Sequence, residues 1–242
     1  MKKTIVPLLV LALLTGCAQG EKGLLERMFD LESRSKQGAS PSRIEELQQA
    51  IQESGAVVEK LVAESDKLAS FWRLLTVRYT EKGMYGEAVE AAKKALSFNP
   101  NDPGLYYMLG VSAGNMAKTA IVDTQNPEAA RQRWLKLSES AYREALKIDD
   151  KNYRSMYGIA VLYSYELDNS GAALPYLEKY LAIQQKDVSG WFLYGRVLYM
   201  EGRLQEAAEA YANAGKFTSN KDLKNQAEAN QKQILDELYG SK

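Results

Sequence analysis

The chain has 242 residues, with 31 Lys and Arg against 31 Asp and Glu, no histidine and one cysteine. This composition argues against a basic nucleic-acid surface and removes disulfides, zinc sites built from His and Cys, Ser-His-Asp and Cys-His catalysis, and histidine pH switching. A chain this long can stabilise itself by burial alone, and six prolines among abundant helix formers predict an all-helical protein.

Lys2 and Lys3 precede an unbroken apolar stretch from Ile5 to Leu14, too short to span a bilayer, and together they predict a signal peptide over residues 1–16. The stretch ends in Leu14-Thr15-Gly16-Cys17, which resembles the lipobox of bacterial lipoproteins. The resemblance implies a diacylglycerol thioether on Cys17, cleavage in front of it and acylation of the new amino terminus. The alternative is an ordinary signal peptide with an incidental cysteine. Cleavage removes Lys2 and Lys3 and no acid, which leaves a net charge of about −2 and implies no electrostatic partner. Residues 17–23 would then be the lipidated Cys and a tether, at most ~20 Å long when extended. Ala18 stands where Asp favours inner-membrane retention in enteric bacteria, so the expected site is the outer membrane, facing the periplasm.

Residues 24–68 predict N-terminal helices. Leu24, Leu25, Met28, Phe29 and Leu31 suggest one, ended by Gly38-Ala39-Ser40-Pro41. Ile44, Leu47 and Ile51 suggest a second, and Val57, Val58, Leu61, Val62 and Leu68 a third, with Gly55 as a boundary between them. These helices would cap the first full repeat of the chain, as a degenerate repeat of their own.

From Trp72, Leu75 and Tyr79 through Ala88, Ala92 and Ala95 to Pro100, a helix-turn-helix pattern with Gly83 at its turn begins to recur. It returns with Tyr106, Leu109, Gly110 and Ala113, with Met156, Ile159, Ala160 and Tyr163, and with Trp191, Tyr194, Gly195 and Leu198. The pattern resembles the tetratricopeptide repeat. Lead residues are spaced 34, 50 and 35 apart, while Ala88, Ser138, Ala173 and Ala207 are spaced 50, 35 and 34, so the long gap lies inside the second repeat. Sixteen residues are inserted there, around Lys118 to Trp134. Asn126-Pro127 is a helix start, which predicts both helices lengthened by about two turns around a polar tip, serving either as a docking feature or as a tolerated extension. Gly110, Ala160 and Gly195 are expected opposite small residues of the second helices, with Trp72, Tyr142, Leu177, Trp191 and Tyr211 as core.

The resemblance implies an all-α, tetratricopeptide-type α-α superhelical solenoid with N-terminal helices and a C-terminal capping helix. Its expected layout is four units over 69–221, at 69–102, 103–152, 153–187 and 188–221. A cap over 222–239 comes last, carrying Leu223, Ala227, Ile234, Leu235 and Leu238 on one face.

In tetratricopeptide proteins the residues one, five, eight and nine places after each lead residue line the concave groove. Here they are Arg73, Val77, Thr80 and Glu81; Tyr107, Val111, Gly114 and Asn115; Tyr157, Val161, Ser164 and Tyr165; and Phe192, Arg196, Tyr199 and Met200. The expected partner-binding set is Arg73, Tyr107, Val111, Asn115, Tyr157, Val161, Tyr165, Phe192, Arg196 and Tyr199. This aromatic and apolar face suits an extended or helical peptide. It does not suit the family's clamp for a terminal carboxylate, because the cations are Arg73, Arg196 and, at the edge, Arg154, with Val111 and Val161 where amides are needed. Other readings are a groove filled by the N-terminal helices or by an oligomer partner.

The leading expectation is a non-enzymatic, lipid-anchored adaptor or scaffold for an envelope protein, with no cofactor, metal or nucleic acid. The alternative is an accessory lipoprotein of a transport system holding a small apolar or anionic solute. Paired acids at Glu45-Glu46 and Asp149-Asp150 diverge by about 100° on a helix and read as solvated surface or turn, not as an acid-base pair.

Overall fold

The computed structural model describes residues 41–119 and 126–240. The expected lipobox at Cys17, the tether and the helix over Leu24 to Leu31 lie outside these residues, as does the tip of the insertion. Nine helices are present among the described residues: α1 (Pro41–Glu81), α2 (Tyr85–Phe98), α3 (Pro103–Thr119), α4 (Pro127–Ile148), α5 (Tyr153–Tyr165), α6 (Ser170–Ile183), α7 (Val188–Met200), α8 (Leu204–Phe217) and α9 (Lys221–Tyr239). The chain divides into two compact units, Met1–Ser65 and Asp66–Lys242.

In the first unit the expected break at Gly55 does not occur, because α1 runs without interruption from Pro41 to Glu81. A helical glycine costs only about 1 kcal/mol relative to Ala, too little to interrupt a helix whose neighbouring residues all favour propagation. Val57, Val58, Leu61 and Val62 are exposed on it.

In the second unit the helices form a solenoid of pairs. α4, α6 and α8 each pack on the first helix of their own pair, α2, α4 and α6 on the first helix of the next pair, and α8 on α9, while neighbouring first helices also touch, α3 with α5 and α5 with α7. Starts are set by short polar side chains that accept a bond from an otherwise orphan N–H. Asn126 accepts from Ala129 N at 3.1 Å, Asn152 from Ser155 N at 3.0 Å, and Asn220 from Asp222 N and Leu223 N. Gly83 and Gly202 supply the left-handed residue of two within-pair turns, each at φ 71°, whereas Asp168 fills that role between α5 and α6 at φ 46°.

The insertion lengthens the two helices unequally within the described residues. α3 has 17 residues against 13 in α5 and α7, one extra turn, while α4 has 22 against 14 in α6 and α8, about two. The extensions are packed at their base, where Ala117, Ala130 and Leu135 are buried.

The small residues face one another in part as expected, and the glycines among them have a second role. Ser138 does face Gly110, donating its hydroxyl to the Gly110 carbonyl at 2.8 Å. Gly110, Gly190 and Gly195 also accommodate a tyrosine ring. A Cβ on Gly110 would stand 2.7 Å from Tyr142, one on Gly195 3.0 Å from Tyr211, and one on Gly190 2.6 Å from Tyr180. In the first pair Thr76 takes the glycine's place, fully buried, with its hydroxyl turned back to the Trp72 carbonyl at 2.9 Å.

Of the aromatic and aliphatic residues expected in the core, Leu177, Tyr142 and Tyr211 are buried. Trp191 is half-buried, donating Nε1–H to the Gln185 carbonyl at 2.8 Å and stacking on Phe217. Trp72 is half-buried beside an open groove. α9 buries Ala227 and Ile234 against α8 and leaves Leu223 and Leu238 exposed, as befits a helix closing an array.

Candidate functional site

The first helices bring Val111, Asn115 and Val161 of the expected set into one pocket, and several of the others are engaged by partners within the chain. At the first pair Arg73 is committed, because its guanidinium donates to Asp102 Oδ2 at 2.6 Å. Asp102 is nearly buried and caps α3, its Oδ1 accepting from Gly104 N at 2.8 Å and Leu105 N at 3.1 Å. The sequence holds a direct signal for this cap, Asp directly before Pro103 at a helix start, but not for the arginine on it. Thr80 bonds to the Thr76 carbonyl at 2.8 Å, with Ser112 Oγ 3.3 Å away.

In the middle of the array α3 and α5 bring Val111, Asn115 and Val161 into one concave pocket of about 110 Å³, with Gly114 and Gly158 opening its walls and Tyr142 at its floor. The Asn115 amide donates to the Val111 carbonyl at 2.9 Å, so the side chain is held rather than loose. Tyr107 sits beside Tyr142, ring centroids 6.2 Å apart. Burial raises the Tyr142 phenol well above its ordinary value, with Tyr107 adding to the effect, so this floor is neutral.

One edge of this pocket carries charges that sequence periodicity does not reveal. Glu166, just past α5, accepts from Arg131 of the α4 extension at 3.1 Å, and Lys118 of the α3 extension lies 3.9 Å from its other oxygen. Arg131 also donates to the Glu166 backbone carbonyl at 3.2 Å. Glu166 and Arg131 are about four-fifths buried, and the ion pairs from Arg131 and Lys118 join both helix extensions to the end of the next first helix.

Further along, the groove is aromatic and engaged. Tyr157 lies 5.1 Å from the buried Tyr180 ring, and burial with the Asp187 carboxylate raises its phenol. Tyr165 is 56% exposed, with the Arg196 guanidinium 5.0 Å over its face. Phe192 packs edge-on against Tyr211, and Tyr199 donates to Glu237 of α9 at 3.1 Å. Arg154 stands over Tyr153 at 5.9 Å. The acids Asp149 and Asp150 close α4, with Asp149 Oδ1 accepting from Lys151 N at 3.0 Å in a turn.

No family model matches the sequence. A TPR repeat-containing protein of Borreliella burgdorferi is 29% identical over 187 residues, covering 77% of this chain and 79% of the relative. Among solved structures, the TPR protein YrrB superposes with a TM-score of 0.56 at 18% identity, over 78% of this chain and 84% of that one. TTC0263 of Thermus thermophilus gives 0.54 at 16% over 87% and 98%. The fold is a tetratricopeptide solenoid. MamA of Desulfovibrio magneticus adopts the same fold, with a TM-score of 0.51 at 19% identity over 72% of this chain and 98% of that one. Along the first helices of this tetratricopeptide fold lie the committed Arg73–Asp102 pair, a small slot at α3 and α5, and the exposed Tyr165–Arg196 pair.

Proposed function

We propose that this protein is a non-enzymatic adaptor, tethered to the outer membrane through a lipidated Cys17, that holds an extended or helical segment of an envelope protein in its tetratricopeptide groove. The observation that carries the reading is the slot between α3 and α5, where Val111, Asn115 and Val161 converge over a buried neutral tyrosine. Its volume of about 110 Å³ suits one apolar side chain of a longer ligand. It falls well short of the roughly 300–1,000 Å³ that small-molecule sites offer, so this slot by itself does not suit a whole solute. Tyr165 and Arg196 supply an adjacent exposed ring and cation for the rest of the segment. The description of YrrB as a TPR protein with an unusual peptide-binding site is in keeping with this use of the fold.

Photo-crosslinking in living cells from position 161 or 165 tests the groove. A discrete protein adduct that disappears on Val111→Glu is expected, and the absence of any protein adduct from both positions would overturn the adaptor reading. Cys17→Ser tests the tether separately, since it should move the protein from the membrane fraction to the soluble one.

A further inference from the structure

The first helix pair carries an open groove of about 640 Å³ away from the concave face. Trp72, Leu75 and Tyr79 of α1 and Ala91 of α2 form its walls, with Glu87 and Lys94 on its α2 rim. Leu68 and Phe71 fall on the same side of α1 by helical spacing and are 43% and 68% exposed. In the next pair the corresponding residues Tyr106, Leu109 and Ala113 pack against Val89 and Ala92 of α2, and in the third pair Ile159 and Tyr163 pack with Leu135 and Tyr142 of α4. At the first pair no described helix of the second unit occupies that place.

The α2 rim indicates what does. Glu87, Glu90, Ala91 and Lys94 share one face of the helix. Glu90 is neutralised within α2 by Lys93 at 2.9 Å, whereas neither Glu87 nor Lys94 has an ion-pair partner among the described residues. An acid and a base therefore lie at equal distances on either side of the Glu90-Ala91 step. A two-fold axis through that step would run α2 antiparallel to its copy and set each Glu87 opposite the other chain's Lys94. Closed two-fold dimers have this self-complementary pairing, and an unrelated partner would not require it.

We propose that this face is the interface of a homodimer, with Trp72, Leu75 and Leu68 of the two copies buried around the axis and two Glu87–Lys94 pairs flanking it. The concave groove lies elsewhere on the array, so this inference stands independently of the adaptor reading.

Sedimentation velocity on the full chain in detergent tests it, with thermal melts to show that each variant is folded. The wild-type chain should associate to a dimer. Lys94→Glu or Glu87→Lys alone places two like-charge contacts in the interface and should weaken association at least about tenfold, while Glu87→Lys with Lys94→Glu should restore it. A wild-type chain that stays monomeric at about 100 µM, a dimer indifferent to Lys94→Glu, or a double variant as weak as the single ones would each overturn the proposal.

Discussion

A Cβ placed on Gly158 would stand 2.6 Å from both Cε1 and Cζ of Tyr142, so the ring and the glycine touch directly across the junction between the second and third helix pairs. Gly158→Ala must displace a ring that Gly110 confines as well. Overpacking of this kind costs about 1–3 kcal/mol, which exceeds the gain of about 1 kcal/mol that alanine brings to a helix. Denaturant melts should show net destabilisation, partly reversed by adding Tyr142→Leu. The same change at Gly55, where nothing lies within 4 Å of the added carbon, should instead stabilise the protein by about 0.5–1 kcal/mol.

Asp102 both caps α3 and holds Arg73. Asp102→Ala should cost about 2 kcal/mol, more than the roughly 1 kcal/mol typical of a cap, because it also leaves Arg73 without its partner. Arg73→Met should cost less, since that arginine is half-exposed and the cap survives. A double-mutant cycle by urea denaturation gives the coupling between the two, and zero coupling would show that Arg73 is free to serve a ligand.

The Glu166 carboxylate ties the extensions of α3 and α4 to the end of α5. Glu166→Gln keeps the shape and removes the charge, so it should destabilise the fold by about 1–2 kcal/mol through the mostly buried Arg131 left facing it. Arg131→Met in the same chain should recover part of that loss. Equal stability of wild type and Glu166→Gln would mean that the insertion is not held by this contact.

Tyrosines set the alkaline limit. Burial raises the phenols of Tyr142 and Tyr180 above their ordinary value of 10.0, with the Asp187 carboxylate adding to the second. Since the folded values lie above the unfolded ones, their contribution is complete below about pH 10 and is lost as pH rises from there through the folded values. The melting temperature should therefore hold to about pH 9 and fall above about pH 10, in step with tyrosinate absorbance. Tyr142→Phe should make that fall shallower, because one fewer proton is released on unfolding.

Much of the fold was legible because repetition exposes register. Tyr106, Met156 and Trp191 each announce a first helix, and Asn126-Pro127 announces the restart after the insertion. Gly55 misled because propensity is a weak local signal that a long helix overrides. Thr76 was missed because the small position it fills is elsewhere Gly or Ala. The site was harder to read than the fold. Groove positions follow from periodicity, but their availability depends on partners distant in sequence. Arg73 meets Asp102 29 residues on, and Arg131 meets Glu166 35 residues on, across a junction whose geometry an insertion of unknown shape had obscured.

The tyrosine rings lodged against Gly110, Gly158, Gly190 and Gly195 have a mechanical consequence. Each is a rigid shim between helices that otherwise meet only their neighbours, so ring size fixes the angle at that joint and the joints together fix the spring's rest curvature. A segment gripping α3, α5 and α7 at once must match that curvature or bend the spring to fit. Thinning a shim outside the slot, as in Tyr211→Leu, should alter the affinity for such a segment while leaving the residues that line the slot unchanged.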